Sequence, residues 1–131
     1  MTSRGTEILD IAECKVLLRD RTLGRIAIRL ADDLVIFPVY YAMLEGDIVF
    51  RTDPGTKLSA AVLGMQVAFE VDNASPPWSV LVRGHAREVR DQREEIAARA
   101  RLGHDWPAGD RDSIVRINVE SITGRRLLER V

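Results

Sequence analysis

The segment Arg51-Thr52-Asp53-Pro54-Gly55-Thr56-Lys57 holds the densest set of groups able to do chemistry. Alternating residues before it deliver Arg51 and Thr52 on a strand, Pro54-Gly55 reverses the chain, and Thr56 can cap a short helix from Lys57 to Leu63. A helix N-terminus presents unpaired amide hydrogens and a positive dipole end, so it attracts anions. A guanidinium, an ammonium, two hydroxyls and free amides around one turn make a receptor suited to a phosphate dianion. The same residues also describe an ordinary strand-to-helix connection capped by Thr56, and spacing alone leaves the two readings level.

One hairpin earlier stands Phe37-Pro38-Val39-Tyr40-Tyr41, and adjacent strands bring it beside Arg51. Proline cannot donate to a ladder, so Pro38 predicts a bulge or an unpaired edge whose free backbone groups meet a planar polar ring. Simple core packing is the other reading. Elsewhere the candidates thin out. There is no glycine-rich nucleotide loop, no Gly-x-Ser-x-Gly and no Cys-x-x-Cys. His85 and His104 lie far apart with no second histidine at ligand spacing, so no metal site is expected. His85 falls on the polar side of a strand, as a surface or interface imidazole or, less simply, as a proton carrier. Cys14 falls on an apolar helical stripe, the place of a packed thiol.

Pattern supplies the elements that position these groups. Asp10 and Glu13 have capping-box spacing, and Ile11, Cys14, Leu17 and Leu18 share a helical face, with Gly24 closing the region. Ile26-Ile28-Leu30 then alternate with period two. Leu34 to Leu44 is continuously apolar and predicts a strand covered on both faces. Ile48–Asp53, Met65–Asp72, Trp78–Val89 and Val115–Glu120 alternate likewise, and Asp91 with Glu94 opens a helix that Gly103 ends. Six strands joined mainly by tight turns, with three short helices, predict an antiparallel barrel or curled sheet forming one domain over residues 1–131.

Composition bounds the partners. The 131 residues carry 19 basic and 20 acidic side chains, all but two of the basic ones arginine. A net charge of −1 argues against nucleic acid, which selects clustered positive charge, and permits self-association. No run approaches the roughly 18 apolar residues of a membrane span. The N-terminus lacks a signal-peptide core and a lone cysteine forms no internal bridge, which together predict a cytoplasmic protein.

The order Gly24-Arg25-Ile26-Ala27, Pro38-Val39-Tyr40-Tyr41 and Phe50-Arg51-Thr52-x-x-Gly55-Thr56-Lys57 resembles the pyridoxamine 5′-phosphate oxidase-like family of FMN-binding split-barrel proteins, in its short general members. The resemblance continues through residues 67–72, Trp78 to Gly84 and Ile122 to Arg126. It implies a mainly β fold, a six-stranded antiparallel split β-barrel with short flanking helices. It further implies a homodimer with FMN at the subunit interface. Arg51, Thr52, Thr56 and Lys57 would hold the phosphate and ribityl chain, and Pro38, Val39, Tyr40 and Tyr41 would line the flavin ring. Trp78, Ser79 and Arg125 would complete the cofactor site.

The implied function is FMN-dependent oxidoreduction of a small molecule, with no catalytic side chain nominated because the cofactor carries the redox chemistry. Two alternatives stand beside it. One is an F420-dependent reductase of the same fold, whose longer anionic tail calls on further arginines such as Arg125 and Arg126. The other is a flavin-binding or ligand-sensing module without turnover.

Overall fold

The computed structural model describes residues 5–53, 64–103 and 112–128. Seven strands and two helices follow one another as β1 (Thr6–Leu9), α1 (Ile11–Arg19), β2 (Leu23–Leu30), β3 (Asp33–Leu44), β4 (Asp47–Thr52), β5 (Gln66–Ala74), β6 (Pro77–Glu88), α2 (Gln92–Leu102) and β7 (Ser113–Leu127). The helix expected from Lys57 to Leu63 lies outside the described residues.

The strands form one antiparallel sheet in the order β1-β7-β4-β3-β2-β5-β6, and β6 also pairs with β7. This corrects the expectation of a six-stranded split barrel: the fold is mainly β with flanking helices, but it is a seven-stranded sheet. The unforeseen strand is β1, four residues too short to show a period. It is held by the tail of β7, with Thr6 opposite Leu127 and Leu9 opposite Gly124. Strand β7 is also longer than expected, because one edge follows β6 along its length while the other meets first β4 and then β1.

Both helix starts follow their sequence signals. Asp10 accepts a hydrogen bond from the Glu13 amide (2.8 Å), and Asp91 accepts one from the Glu94 amide (3.0 Å). Gly103 closes α2 in the left-handed region at φ 82°, where a side chain would be strained.

Alternation then builds the core. Ile26, Ile28, Val39, Tyr41, Ile48, Phe50, Phe69, Val71, Val80, Val82 and Ile117 point inward from six strands. A smaller cluster of Leu44, Val49, Val89, Ala98 and Ile114 fastens α2 to the opposite face of β4. Cys14 is fully buried, and burial, followed by the nearby Glu13 and Asp10, pushes its thiol pKa up. That is the behaviour of a packed thiol.

Strand β3 meets one expectation, with Pro38 at an edge rather than at a bulge, and departs from another. Its pairing with β2 runs without a shift from Leu23↔Tyr40 to Leu30↔Asp33, so Pro38 makes no bulge. Proline is tolerated because β4 pairs with β3 only over Tyr41 to Leu44, leaving one edge of β3 at position 38 without a strand neighbour among the described residues. Nor is β3 covered on both faces. Leu34, Ile36 and Tyr40 are 76%, 66% and 61% exposed, and Leu23 on β2 continues this apolar stripe. The irregularity in the sheet lies instead at Arg83/Gly84. A Cβ at Gly84 would sit 2.1 Å from the Asn118 carbonyl oxygen, so only glycine admits that approach.

Candidate functional site

Two clefts divide the residues nominated from the sequence. The first, of about 770 Å³, lies between the end of α1, strands β3 and β4, and the end of α2. Residues 40–43 of β3 line one side, with the Tyr40 side chain outward, and Arg19, Arg21, Arg51 and Arg101 line the rest. The second, of about 660 Å³, lies on the outer face of β6 and β7 near β1 and includes Ser79, Glu70, Arg83, Thr123 and Arg125.

Strand alternation explains the β3 side. Val39 and Tyr41 point into the core, whereas Pro38 and Tyr40 point outward, so the four residues 38–41 do not form one surface. The Tyr41 ring meets Phe69 edge-on at 5.0 Å, and its hydroxyl donates to the Leu18 carbonyl at 2.5 Å. Burial pushes the phenol pKa well above its ordinary value, which suits a fixed hydrogen-bond donor. Trp78 is also buried, with the Arg21 guanidinium 5.3 Å from its ring centroid. This cation–π contact ties the rim of the first cleft to the strand that carries Ser79.

Arg51 stands at a junction of three elements. Its Nη2 donates to the Gly103 carbonyl at 2.8 Å, at the end of α2, and its Nε lies 3.1 Å from the Asp112 carboxylate just before β7. The Asp112 side chain is 6% exposed and also pairs with Arg99 on α2, at 2.9 Å. Thr52 points the other way and is buried, its hydroxyl 3.5 Å from the Ser113 carbonyl. Thr56 and Lys57 lie outside the described residues.

Further along α2, Glu94 pairs with Arg87 and, at 3.0 Å, with Arg116. Arg116 is buried and also pairs with Asp47 at 2.8 Å. Asp47 in addition accepts from Asn118 and from the Val119 amide. This network fastens the helix whose last turn forms one side of the first cleft.

In the second cleft, Ser79 sits opposite Arg125 in register and Leu81 sits opposite Glu70. Arg25 bridges Glu70 and Asp72 at 3.3 and 2.9 Å. Burial, and then hydrogen bonding and repulsion from Asp72, push the Glu70 pKa up to about 7 against the pull of Arg25. His85 has a partner that its sequence position did not reveal: Nδ1 lies 2.7 Å from Glu120 across the β6–β7 pair. Arg126, a candidate for an anionic tail, is engaged by Glu7 and Glu13.

Sequence reasoning missed Arg19, Arg21, Arg101 and Asp112. Arg19 and Arg101 occupy last helical turns, where a cation already complements the helix dipole, so their types carried no separate signal. Asp112 was recoverable only from register, because Arg51 faces Ile114 across the β4–β7 pair.

The chemistry of the first cleft suits an aromatic group bearing phosphate, since Tyr40 and the apolar residues of β3 lie beside several arginines. Among the described residues no set of three acidic, histidine or cysteine side chains could hold a metal ion, and no helix is long and apolar enough to cross a membrane.

The profile of the family described as pyridoxamine 5′-phosphate oxidase matches residues 10–126. An uncharacterized protein of Mycobacterium tuberculosis, Rv0080, is 36% identical over 136 residues, spanning 97% of this chain and 89% of its own length. The structure of an FAD-binding protein from Mycobacterium smegmatis superposes with a TM-score of 0.86 at 36% identity, covering 94% of this chain and all of that one. A conserved protein of unknown function from Corynebacterium diphtheriae superposes with a TM-score of 0.83 at 32% identity, covering 94% and 98% of the two chains.

Proposed function

Because the chain belongs to the pyridoxamine 5′-phosphate oxidase-like family, we propose that it is a flavin-binding oxidoreductase acting on a small molecule, with FMN as its cofactor. The observation that carries this reading is the first cleft, where Arg51 comes to lie beside Tyr40 and Tyr41 although a hairpin separates them in sequence. In this reading Arg51, with Thr56 and Lys57 that follow it in sequence, holds the phosphate, and β3 covers one face of the ring. The bound flavin supplies electron transfer at its ring. The protein binds, orients and shields it, and no side chain is assigned a proton-transfer role.

We further propose that the functional unit is a homodimer. The nominated residues fall in two separate clefts of one chain, Tyr40, Tyr41 and Arg51 in one and Ser79 and Arg125 in the other. A two-fold arrangement that places the first cleft of one protomer against the second cleft of its partner reunites them at each interface. The exposed apolar stripe Leu23, Leu34, Ile36 and Tyr40 is a surface that such an arrangement would bury. A cytoplasmic setting suits the buried, unbridged Cys14.

A second reading concerns the cofactor alone. Arg19, Arg21 and Arg101 line the cleft in addition to Arg51, which is more positive charge than one phosphate requires. That surplus, together with the FAD-binding relative, favours a more anionic cofactor, FAD or the deazaflavin F420.

Mass analysis of the small molecule released on denaturation separates FMN, FAD and F420. Consumption of NADH or NADPH with the cofactor added separates turnover from a binding module. Joint substitution Arg51→Gln and Lys57→Gln is expected to weaken FMN binding by several kcal/mol, at about 1.5–3 kcal/mol for each charge-assisted bond. Unchanged FMN affinity in that variant would overturn the reading.

A further inference from the structure

We propose that Asp112 is a positioning residue for the cofactor phosphate, acting through Arg51; this rests on the flavin reading of the first cleft. Asp112 lies 61 positions from Arg51 in sequence and just precedes β7, yet its carboxylate is 3.1 Å from the Arg51 Nε. Its side chain is 6% exposed and the Arg51 side chain is 10% exposed, so the pair is held largely away from water.

A guanidinium is a planar fork, and a directional bond at one nitrogen with a counter-charge beside another restricts where its head can lie. Here the Gly103 carbonyl accepts from Nη2 at 2.8 Å, and the Asp112 carboxylate stands 3.1 Å from the buried Nε as a counter-charge, not as an aligned hydrogen bond. Together they hold the head of Arg51 on the wall of the cleft before any ligand arrives. Such preorganisation lowers the ordering cost of binding a phosphate.

The same carboxylate takes the Arg99 Nη1 at 2.9 Å, and the Asp112 carbonyl takes Arg99 Nη2 at 3.1 Å. Asp112 therefore brings two cations together, Arg51 largely withdrawn from water and Arg99 about one-third exposed. Without its charge Arg51 would lose a counter-charge beside Nε and face Arg99 unscreened, which favours a shift of the long side chain away from its present position. The bond from Arg99 to Glu95, at 3.1 Å, gives Arg99 a second carboxylate on its own helix. Arg99 is thus the member of the trio that can be altered with least effect on Arg51.

The experiment compares FMN with riboflavin, which lacks the phosphate, by quenching of flavin fluorescence. Asp112→Asn is expected to weaken FMN binding at least tenfold and to change riboflavin binding less than twofold. A general loosening of the fold would weaken both alike. Asp112→Glu, which keeps the charge but moves it by one methylene, is expected to cost FMN three- to fivefold and riboflavin nothing, and it serves where the asparagine variant does not fold. Arg99→Gln is expected to leave the FMN-to-riboflavin ratio within twofold of the parent.

An unchanged or tighter affinity for FMN in both Asp112 variants would overturn the proposal and make Asp112 a competing anion or a purely structural one. Arg51→Gln separates the two levels. Loss of FMN preference in Arg51→Gln but not in the Asp112 variants sinks only the positioning role. Retention of that preference in Arg51→Gln sinks the phosphate assignment of Arg51 and, with it, the role of Asp112.

Discussion

Replacing Glu94 by alanine tests how α2 is held against the sheet. Its carboxylate takes both terminal nitrogens of Arg87 and also Arg116 Nη1, at 3.0 Å, and is itself 17% exposed. Three charge-assisted contacts are lost, but they do not count equally. Arg87 is 43% exposed, so water replaces much of its partner. Arg116 is 10% exposed but keeps Asp47 at 2.8 Å, so it is weakened without being orphaned. With charge-assisted bonds contributing about 1.5–3 kcal/mol each and these discounts applied, the expected loss is about 2–3 kcal/mol. An unfolding entropy of about 2.1 cal/mol/K per residue turns this into a fall in Tm of about 9 °C for a chain of 131 residues. Thermal unfolding by circular dichroism reads the shift, and hydrogen exchange should show the α2 amides opening before those of β6 and β7. The loss should also shrink in acid, because Arg87 first and Arg116 next hold the Glu94 pKa below its ordinary value. This contribution is full above the ordinary carboxylate range and disappears as pH falls through the lowered value. A fall in Tm under about 2 °C would refute the inference that these ion pairs, rather than the apolar contacts of Ala98 and its neighbours, fasten the helix.

Glu70 has the opposite sign. Its pKa is raised from 4.5 to about 7, so its contribution is full below 4.5 and is lost as pH rises through about 7. Glu70→Gln should flatten the pH dependence of urea unfolding across that window and add about 1 kcal/mol above it, after allowance for solvent screening; an unchanged slope would show that Glu70 is not the group responsible. At Gly124 a Cβ would stand 2.4 Å from the buried Cys14 sulfur and 3.3 Å from Leu9 Cδ1. Gly124→Ala is therefore expected to cost about 1–3 kcal/mol of stability, and Cys14→Ala in the same chain should restore most of it. No recovery in the double variant would place the strain elsewhere.

Local signals carried far in this chain. The Asp10 and Asp91 caps, the Gly103 stop and the inward residues of β2, β4, β5 and β6 follow from side-chain type and spacing, because capping and alternation involve neighbours a few positions apart. The same logic failed where the answer depended on distant partners. Strand β1 is too short to show a period and exists because β7 supplies an edge. The apolar run of β3 read as doubly covered, since composition cannot tell a buried face from one left open on a single chain.

The candidate site divides along the same line. The sequence alone determined its chemical types: a cation and hydroxyls where a strand turns toward a helix, an aromatic run one hairpin earlier, and a family order that joins them. These follow from residue identity and short spacing, which the chain carries without folding. Only the tertiary structure decided which of them meet. It set Tyr40 and Arg51 on one cleft and Ser79 and Arg125 on another, turned Tyr41 and Trp78 into the core, and brought Arg19, Arg21 and Arg101 to the rim. It also delivered Asp112 to Arg51. Those encounters depend on strand register and helix docking, which long-range pairing sets and no short window of residues contains.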